Sequence, residues 1–273
     1  MQSWLHIPAP PLDHYIEHFF LYENLISDHL RERMLPDGHI ELVIDLREQP
    51  NFWYPNDDPD AAHRVQGGWI SGVHRHYITI EAAQGASMLV VRFRPGRILP
   101  ILGMPAGAIA DQVVPLDQVW GPTFEHLRNG LLERPEPARK FAWLEQFFLK
   151  KIQNGPAPNP VIDFALNRLQ SMDTAAGIAA IVGKTGYSHK HFVSLFHLHI
   201  GVPPKVYSRI LKFQQAVRQM ESSPGQPDWS ALTYACGYYD QAHFINEFKT
   251  FSGFSPSFYL EKRGAYLNYL PVD

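Results

Sequence analysis

The chain has 273 residues, 45% of them hydrophobic and 19% charged. That length suggests two domains, and the balance of apolar and charged side chains excludes wholesale disorder. A formal net charge of -3 offers, taken over the whole chain, no sign of a polyanionic partner.

The opening segment MQSWLHIPAPPLDHYIEHFF has no basic stretch followed by an apolar run, so no signal peptide is read there. No run of 18 apolar residues follows, so no membrane span is expected. Cys236 is the only cysteine. It can form no intrachain disulfide or cysteine-based zinc cluster, which favours a reducing, cytoplasmic setting.

The first half reads as β-structure. Pro36-Asp37-Gly38 signals a turn, and Ile40, Leu42, Ile44 and Leu46 alternate after it. Trp69-Ile70, Tyr77 to Ile80 and Met88 to Phe93 are further strand candidates, punctuated by Gly67-Gly68, Gly85 and Pro95-Gly96. Many short strands between turns predict a barrel or sandwich. From Thr123 the period changes. Phe124, Leu127 and Leu131, then Phe141, Leu144, Phe148 and Ile152, follow helical spacing. Two trailing helices are therefore expected, with stripes that face either the barrel or a second copy of the chain.

Residues 154–160, Asn-Gly-Pro-Ala-Pro-Asn-Pro, can continue neither a helix nor a ladder and are read as a linker. The charge divides there. Residues 1–160 hold 14 Lys/Arg and 19 Asp/Glu (-5), and residues 161–273 hold 10 and 8 (+2). Beyond the linker the reading is helical. Ile162, Ala165, Leu166 and Leu169 form a stripe, Asp173-Thr174 starts a second helix, and Pro203-Pro204 opens a long third that Ser223-Pro224-Gly225 stops. Asp228 can cap a short helix after it.

A repeat lies within this half. Gly186-Tyr187-Ser188 precedes Phe192, Phe196, Gly201, Pro204 and Tyr207. Gly237-Tyr238-Tyr239 precedes Phe244, Phe248, Gly253, Pro256 and Tyr259. From the first Phe onward both units step 4, 5, 3 and 3 residues. Each unit reads as a helix, a tight glycine turn and a second helix capped by Ser188 or Asp240. The Phe residues are core. The opposite faces are polar, and a short anchored helix with a polar face suits a major groove about 12 Å wide.

These motifs make residues 161–264 resemble the DNA-binding domain of the AraC/XylS family. GYSHKHFVSLFHLHIGVPPKVY is similar to its first helix-turn-helix, and GYYDQAHFINEFKTFSGFSPSFY to its second. Val182 and Thr233 stand where that family usually has Ala, and Ile210-Leu211-Lys212 where its linking helix usually has Arg. The resemblance implies base contacts from Lys190, Val193, Ser194, Gln241, Ala242, His243 and Asn246. Phosphate contacts are expected from His189, His197, Lys205, Arg209 and Lys249. Through His189, His191, His197, His199 and His243, DNA affinity is expected to rise below about pH 6.5. LPDGHIELVIDL and VRFRPGRILPILGMPAGAIADQVVPLDQVWG resemble the N-terminal domain of one branch of these regulators, cupin-like by analogy.

In that first domain, Gly68, His74, His76, Glu81 and Gly85 approach the first metal motif of cupins. The spacing after Glu81 is short, and the second motif is absent downstream. His74, His76 and Glu81 are thus a weak metal set, and surface histidines on a strand pair are the preferred reading; no cofactor is expected. Effector sensing suits the domain better. Trp53, Tyr54, Trp69 and Tyr77 are candidate pocket walls, and Arg92, Arg94 and Arg97 candidate partners for an anionic group.

The resulting expectation is an α+β chain. Residues 1–153 form a cupin-like β-rich barrel with two trailing helices. A linker at 154–160 leads to an all-α DNA-binding domain at 161–264, with two helix-turn-helix motifs joined by a long helix, and a tail at 265–273. The expected function is a bacterial, cytoplasmic, non-enzymatic regulator of transcription. Its expected partners are double-stranded promoter DNA, a small effector, a second copy of the chain and, for an activator, RNA polymerase. The alternative is a cupin-like metalloprotein or enzyme with a DNA-binding appendage.

Overall fold

The computed structural model describes every residue except 83, 154, 172–176, 224, 265 and 273. The strands are β1 (Gln2–His6), β2 (Ile16–Leu25), β3 (Arg31–Met34), β4 (Ile40–Asp45), β5 (Pro50–Tyr54), β6 (His63–Gln66), β7 (Gly68–Ser71), β8 (Ile78–Glu81), β9 (Ala86–Phe93), β10 (Val113–Pro115) and β11 (Tyr269–Pro271). They form two antiparallel sheets. One runs β1-β2-β9-β4-β7-β10, the other β11-β3-β8-β5-β6. The sheets share no strand, so the barrel is not closed.

The alternation on β4 explains the layering. Ile40, Leu42 and Ile44 belong to the main core, while Val43 belongs to a separate apolar cluster with Ala86 and Met88. One face of the first sheet therefore meets helices, and the other meets the space between the sheets. The helices on that outer face are α1 (Leu99–Leu102), α2 (Leu116–Trp120), α3 (Pro122–Leu132) and α4 (Pro137–Gln153). Phe141 and Phe148 of α4 stack on Phe19 of β2 with centroids 6.3 and 6.1 Å apart. Each such fully buried ring is worth about 1.5–3 kcal/mol. The apolar stripes of the trailing helices are thus spent on the chain's own sheet, not held out for a second copy.

The second half is helical: α5 (Pro160–Gln170), α6 (Gly177–Gly183), α7 (His189–Ile200), α8 (Pro204–Ser222), α9 (Trp229–Ala235), α10 (Gln241–Ser252) and α11 (Pro256–Lys262). The start signal at Asp173-Thr174 lies outside the described residues. Local chemistry sets the boundaries. Asn159, Ser188, Asp228, Asp240 and Ser255 each accept a backbone N–H of the helix that follows. Gly186 and Gly237 turn the chain at φ +74° and +71°. The repeat is also a repeat in space. Ring centroids are 5.9 and 5.7 Å apart along Phe192, Phe196 and Tyr207, and 5.8 and 5.5 Å apart along Phe244, Phe248 and Tyr259. Phe213 of α8 packs on Phe248 and Phe251 at 5.1 Å each. Thr233, which stands where the resembled family usually has Ala, is buried and satisfies its hydroxyl on the Trp229 carbonyl at 2.6 Å.

The two halves are locked together. A 3₁₀ turn at Ala106–Ile109 packs against α7, with Gly107 under the His197 ring. Arg97 pairs with Asp163 of α5 at 2.7 Å. Arg33 of β3 donates to the Ser252 carbonyl at 3.1 Å, its guanidinium lying between the rings of Tyr77 (4.1 Å) and Phe254 (4.0 Å). Gln214 of α8 donates to the Pro36 carbonyl at 2.8 Å and to Asn268 Oδ1 at 2.9 Å. The segment after α11 is no free tail. It returns as β11 and pairs with β3, Tyr269 opposite Met34 and Pro271 opposite Glu32.

Candidate nucleic-acid interface and interior cavity

The N-terminal half of α7 is open. His189, Lys190, His191 and Ser194 are exposed and Val193 is half-buried. The N-terminal half of α10 repeats this, with Gln241, Ala242, His243 and Asn246 all exposed. The anchoring rings on the reverse face are fully buried, so each polar face is presented by a rigid element. Gln241 Nε2 donates to Ser230 Oγ at 2.9 Å, which holds its amide over α9.

The residues expected to meet phosphate are less uniform. His189, Lys205 and Lys249 are exposed and form no side-chain ion pair among the described residues. His197 is exposed, but its ring lies on Gly107 of the other half. Arg209 is engaged by Glu247 of α10 through two bonds of 2.7 Å, which raise its pKa and tie α8 to the second polar helix. His199 does not belong with the solvent-facing histidines. It is buried between the halves, and burial lowers its pKa, helped by Arg97. Three tyrosines stand exposed around the turns, two of which, Tyr187 and Tyr239, enter the sequence reading only as part of the repeat. Tyr187, Tyr234 and Tyr239 flank the two turns, and Tyr239 is 85% exposed. The Gly-Tyr pair at the head of each repeat points to Tyr187 in the first unit but to the buried Tyr238 in the second.

In the β-rich half, a cavity of about 850 Å³ opens between the sheets. Its walls come from the inward faces of both. In the first sheet the lining residues lie across neighbouring strands: His18, Glu41 and Ser71, then Phe20, Val90, Val43 and Trp69. In the second, Glu32, Ile80 and Trp53 form a row. Tyr266, Leu267, Tyr269 and Pro271 of the returning C-terminal segment also line the space.

The ionisable groups in and beside it are strongly perturbed; Asp37, His39, His74 and Arg92 line a smaller pocket that shares Glu41 and Ser71 with the cavity. Arg92 is held by Asp37 and Glu41, each at 2.5 Å, and by Glu17 at 3.4 Å. Burial alone would raise the Asp37 carboxyl, but the His39 hydrogen bond and the nearby Arg92 keep it well below the usual range. Burial raises Glu41 and Glu32. His74 donates to or accepts from Ser71 Oγ at 2.9 Å, and burial pushes its imidazole down to about 4.

Two sequence expectations change here. The arginines do not converge on an anion. Arg92 is surrounded by carboxylates, Arg94 donates to the Asp13 carbonyl, and Arg97 is paired with Asp163. Trp53 and Trp69 do line the cavity, whereas Tyr77 is turned to Arg33 at the junction of the two halves and Tyr54 donates to Glu81 at 3.2 Å. Nor are the suggested metal residues together. His74 faces Ser71, His76 reaches the Thr250 carbonyl, and Glu81 accepts from Tyr54. Among the described residues no cluster of three or more His, Cys, Asp or Glu is placed to hold a metal ion.

Residues 165–262 match a family described as a helix-turn-helix domain, and residues 5–115 a domain of unknown function, DUF6597. No curated protein matches the chain. Among solved structures it is similar to ToxT of Vibrio cholerae with unsaturated fatty acid bound, at 9% identity and TM-score 0.47, covering 89% of this chain and 94% of that one. A second ToxT structure gives 13% identity and TM-score 0.42, covering 95% and 97%. The AraC-like transcriptional activator CuxR gives 14% and 0.29, covering 78% and 86%.

Proposed function

We propose that the chain is a DNA-binding regulator of transcription of the AraC/XylS type, in which α7 and α10 enter major grooves of promoter DNA while the cavity between the sheets admits a small effector. The observation that carries the first part is the duplicated unit: a positive-φ glycine, a side-chain cap and a helix whose buried rings leave a polar N-terminal half in solvent. Lys190, Val193 and Ser194 read bases from α7, and Gln241, Ala242, His243 and Asn246 from α10. His189, Lys205 and Lys249 hold phosphates. His197 and Arg209 reach phosphate only by leaving Gly107 and Glu247. In this reading they chiefly position the helices in the free protein.

Support for effector control comes from the walls of the cavity. A ligand between the sheets touches the segment that Gln214 ties to α8, so it acts on the joint between the halves as well as on the sensor. That contact makes coupling physically available, and reciprocal linkage then requires DNA to change effector affinity by the same factor.

The reading places the protein in a bacterial cytoplasm, as a cupin-like, non-enzymatic regulator that meets RNA polymerase when it activates. No described helix is long and apolar enough to cross a membrane. The apolar faces of α3 and α4 are occupied within the chain, so pairing of two copies would use another surface. Selection of binding sites from random duplex tests the function. Recovery of a motif with two half-sites about one helical turn apart is expected. Salt-independent binding, or none, would refute it.

A further inference from the structure

The cavity has a chemical character that the reading above leaves open. Its middle is apolar and aromatic, with Phe20, Trp53, Trp69 and Tyr269 among the walls. The charged groups set into the sheets are unequal in sign. Glu41 stands in the floor and Glu32 in the roof, each with its side chain mostly buried. Arg92, a guanidinium on the same sheet, lines an adjoining smaller pocket and faces three carboxylates, Glu17, Asp37 and Glu41. Burial lowers the pKa of His18, and His29 is bonded to Asp28 and Glu32. The remaining cations, Lys262 and Arg263, sit at the end of α11. Lys262 is exposed and Arg263 donates to the Met220 carbonyl at 3.0 Å.

The phenols report the same field from both walls. Burial first, then Glu32, Asp45 and Glu41, raises the pKa of Tyr22. Burial first, then Glu41, Tyr22, Glu32 and Asp37, raises that of Tyr269. Two hydroxyls on opposite sides of the space thus feel largely the same carboxylates.

Taking the cavity as the effector site, we propose that it binds an apolar organic cation, an aryl or alkyl ammonium or its equivalent, and excludes a carboxylate of the same shape. A cation over the indole and phenol faces gains from the ring quadrupoles, and more so where water is displaced. Glu32 and Glu41 supply the counter-charge. An anion would meet the same carboxylates, Glu32 and Glu41, and find cations only at the end of α11, Lys262 and Arg263. The volume suits a ligand of ordinary drug size.

The test uses the full chain and two ions of nearly identical shape, tetraphenylphosphonium and tetraphenylborate, measured by equilibrium dialysis and by quenching of tryptophan fluorescence. A smaller pair, benzyltrimethylammonium and 3-phenylpropionate, repeats the comparison for a narrower mouth. The cation of a pair should bind at least about tenfold more tightly than its anion, a difference of about 1.4 kcal/mol. Glu32→Gln should lower cation affinity about tenfold and leave the anion within about twofold, while the variant still shifts duplex DNA. Glu41→Gln should act in the same direction. Tighter binding of the anion would overturn the ligand class but keep the cavity as an effector site. No binding of any of the four ions would overturn both, and retained DNA binding in that case would leave the regulator reading standing.

Discussion

Arg33 joins the second sheet to the second helix-turn-helix, and replacing it tests whether that joint is built as described. Arg33→Ala removes two stacked contacts, with Tyr77 and Phe254, and one hydrogen bond to the Ser252 carbonyl. Two partly exposed cation–π contacts are worth about 0.5–1 kcal/mol each. A hydrogen bond from a charged donor adds about 1.5–3 kcal/mol. Against this, Arg33 Nε is buried with no partner, and relieving that returns about 1–2 kcal/mol. The net loss should be about 2 kcal/mol, or about 4–8 °C in thermal midpoint for a chain of this size. Arg33→Lys keeps the charge but loses the planar fork and should recover less than half of it. Amide exchange should quicken over residues 251–258 more than in β4 or β9. An unchanged midpoint, or faster exchange spread evenly over the chain, would refute the joint.

Gly253→Ala should destabilise by more than Gly186→Ala. Both have positive φ, costing about 1–2 kcal/mol for an L-residue, but a Cβ at Gly253 would overlap Arg33 and Tyr77 while one at Gly186 meets nothing; equal denaturation midpoints would contradict the close packing. His74 is neutral in the folded state, with a pKa of about 4 against an ordinary value of 6.5. Its contribution is complete above pH 6.5 and is lost as pH falls towards 4, by up to about 3 kcal/mol. Thermal midpoints should therefore fall across that window, and His74→Gln should flatten part of the fall. Gln241→Ala should cost about 1–3 kcal/mol at one base pair and relax preference there, whereas an equal loss on every sequence would remove Gln241 from the base-reading set. Lys249→Gln should weaken all duplexes alike and lower the salt slope by about one.

What was legible in the sequence was local. Gly186, Ser188, Gly237 and Asp240 define turns and caps within a few residues of one another, so the two units and their polar faces could be read without knowing what surrounds them. The strands were harder. Those of the first sheet bury one face on helices and turn the other to a cavity that mixes His18, Glu41, Val43 and Trp69. Such strands do not alternate cleanly between apolar and polar, and β1, β2 and β10 of the first sheet were missed, as were β3, β5 and β6 of the second. The arginine reading failed for a related reason. Spacing placed Arg92 on a strand face, but only pairing across β9 and β4 shows that Glu41 stands beside it. The return of residues 269–271 to β3 depends on partners more than 200 positions away, which no local pattern encodes.

That return has a consequence for how the molecule is made. β3 lies near the start of the chain, yet its outer edge is covered by β11, which follows both helix-turn-helix units in sequence. During synthesis that edge stays bare until every helix of the second half has left the ribosome, on the order of tens of seconds at ordinary elongation rates of about 5–20 residues per second. The β-rich half is thus completed only when the helical half exists. A nascent fragment ending before Tyr269 would carry an unfinished cavity wall and an unpaired strand, open to proteases and to other strands.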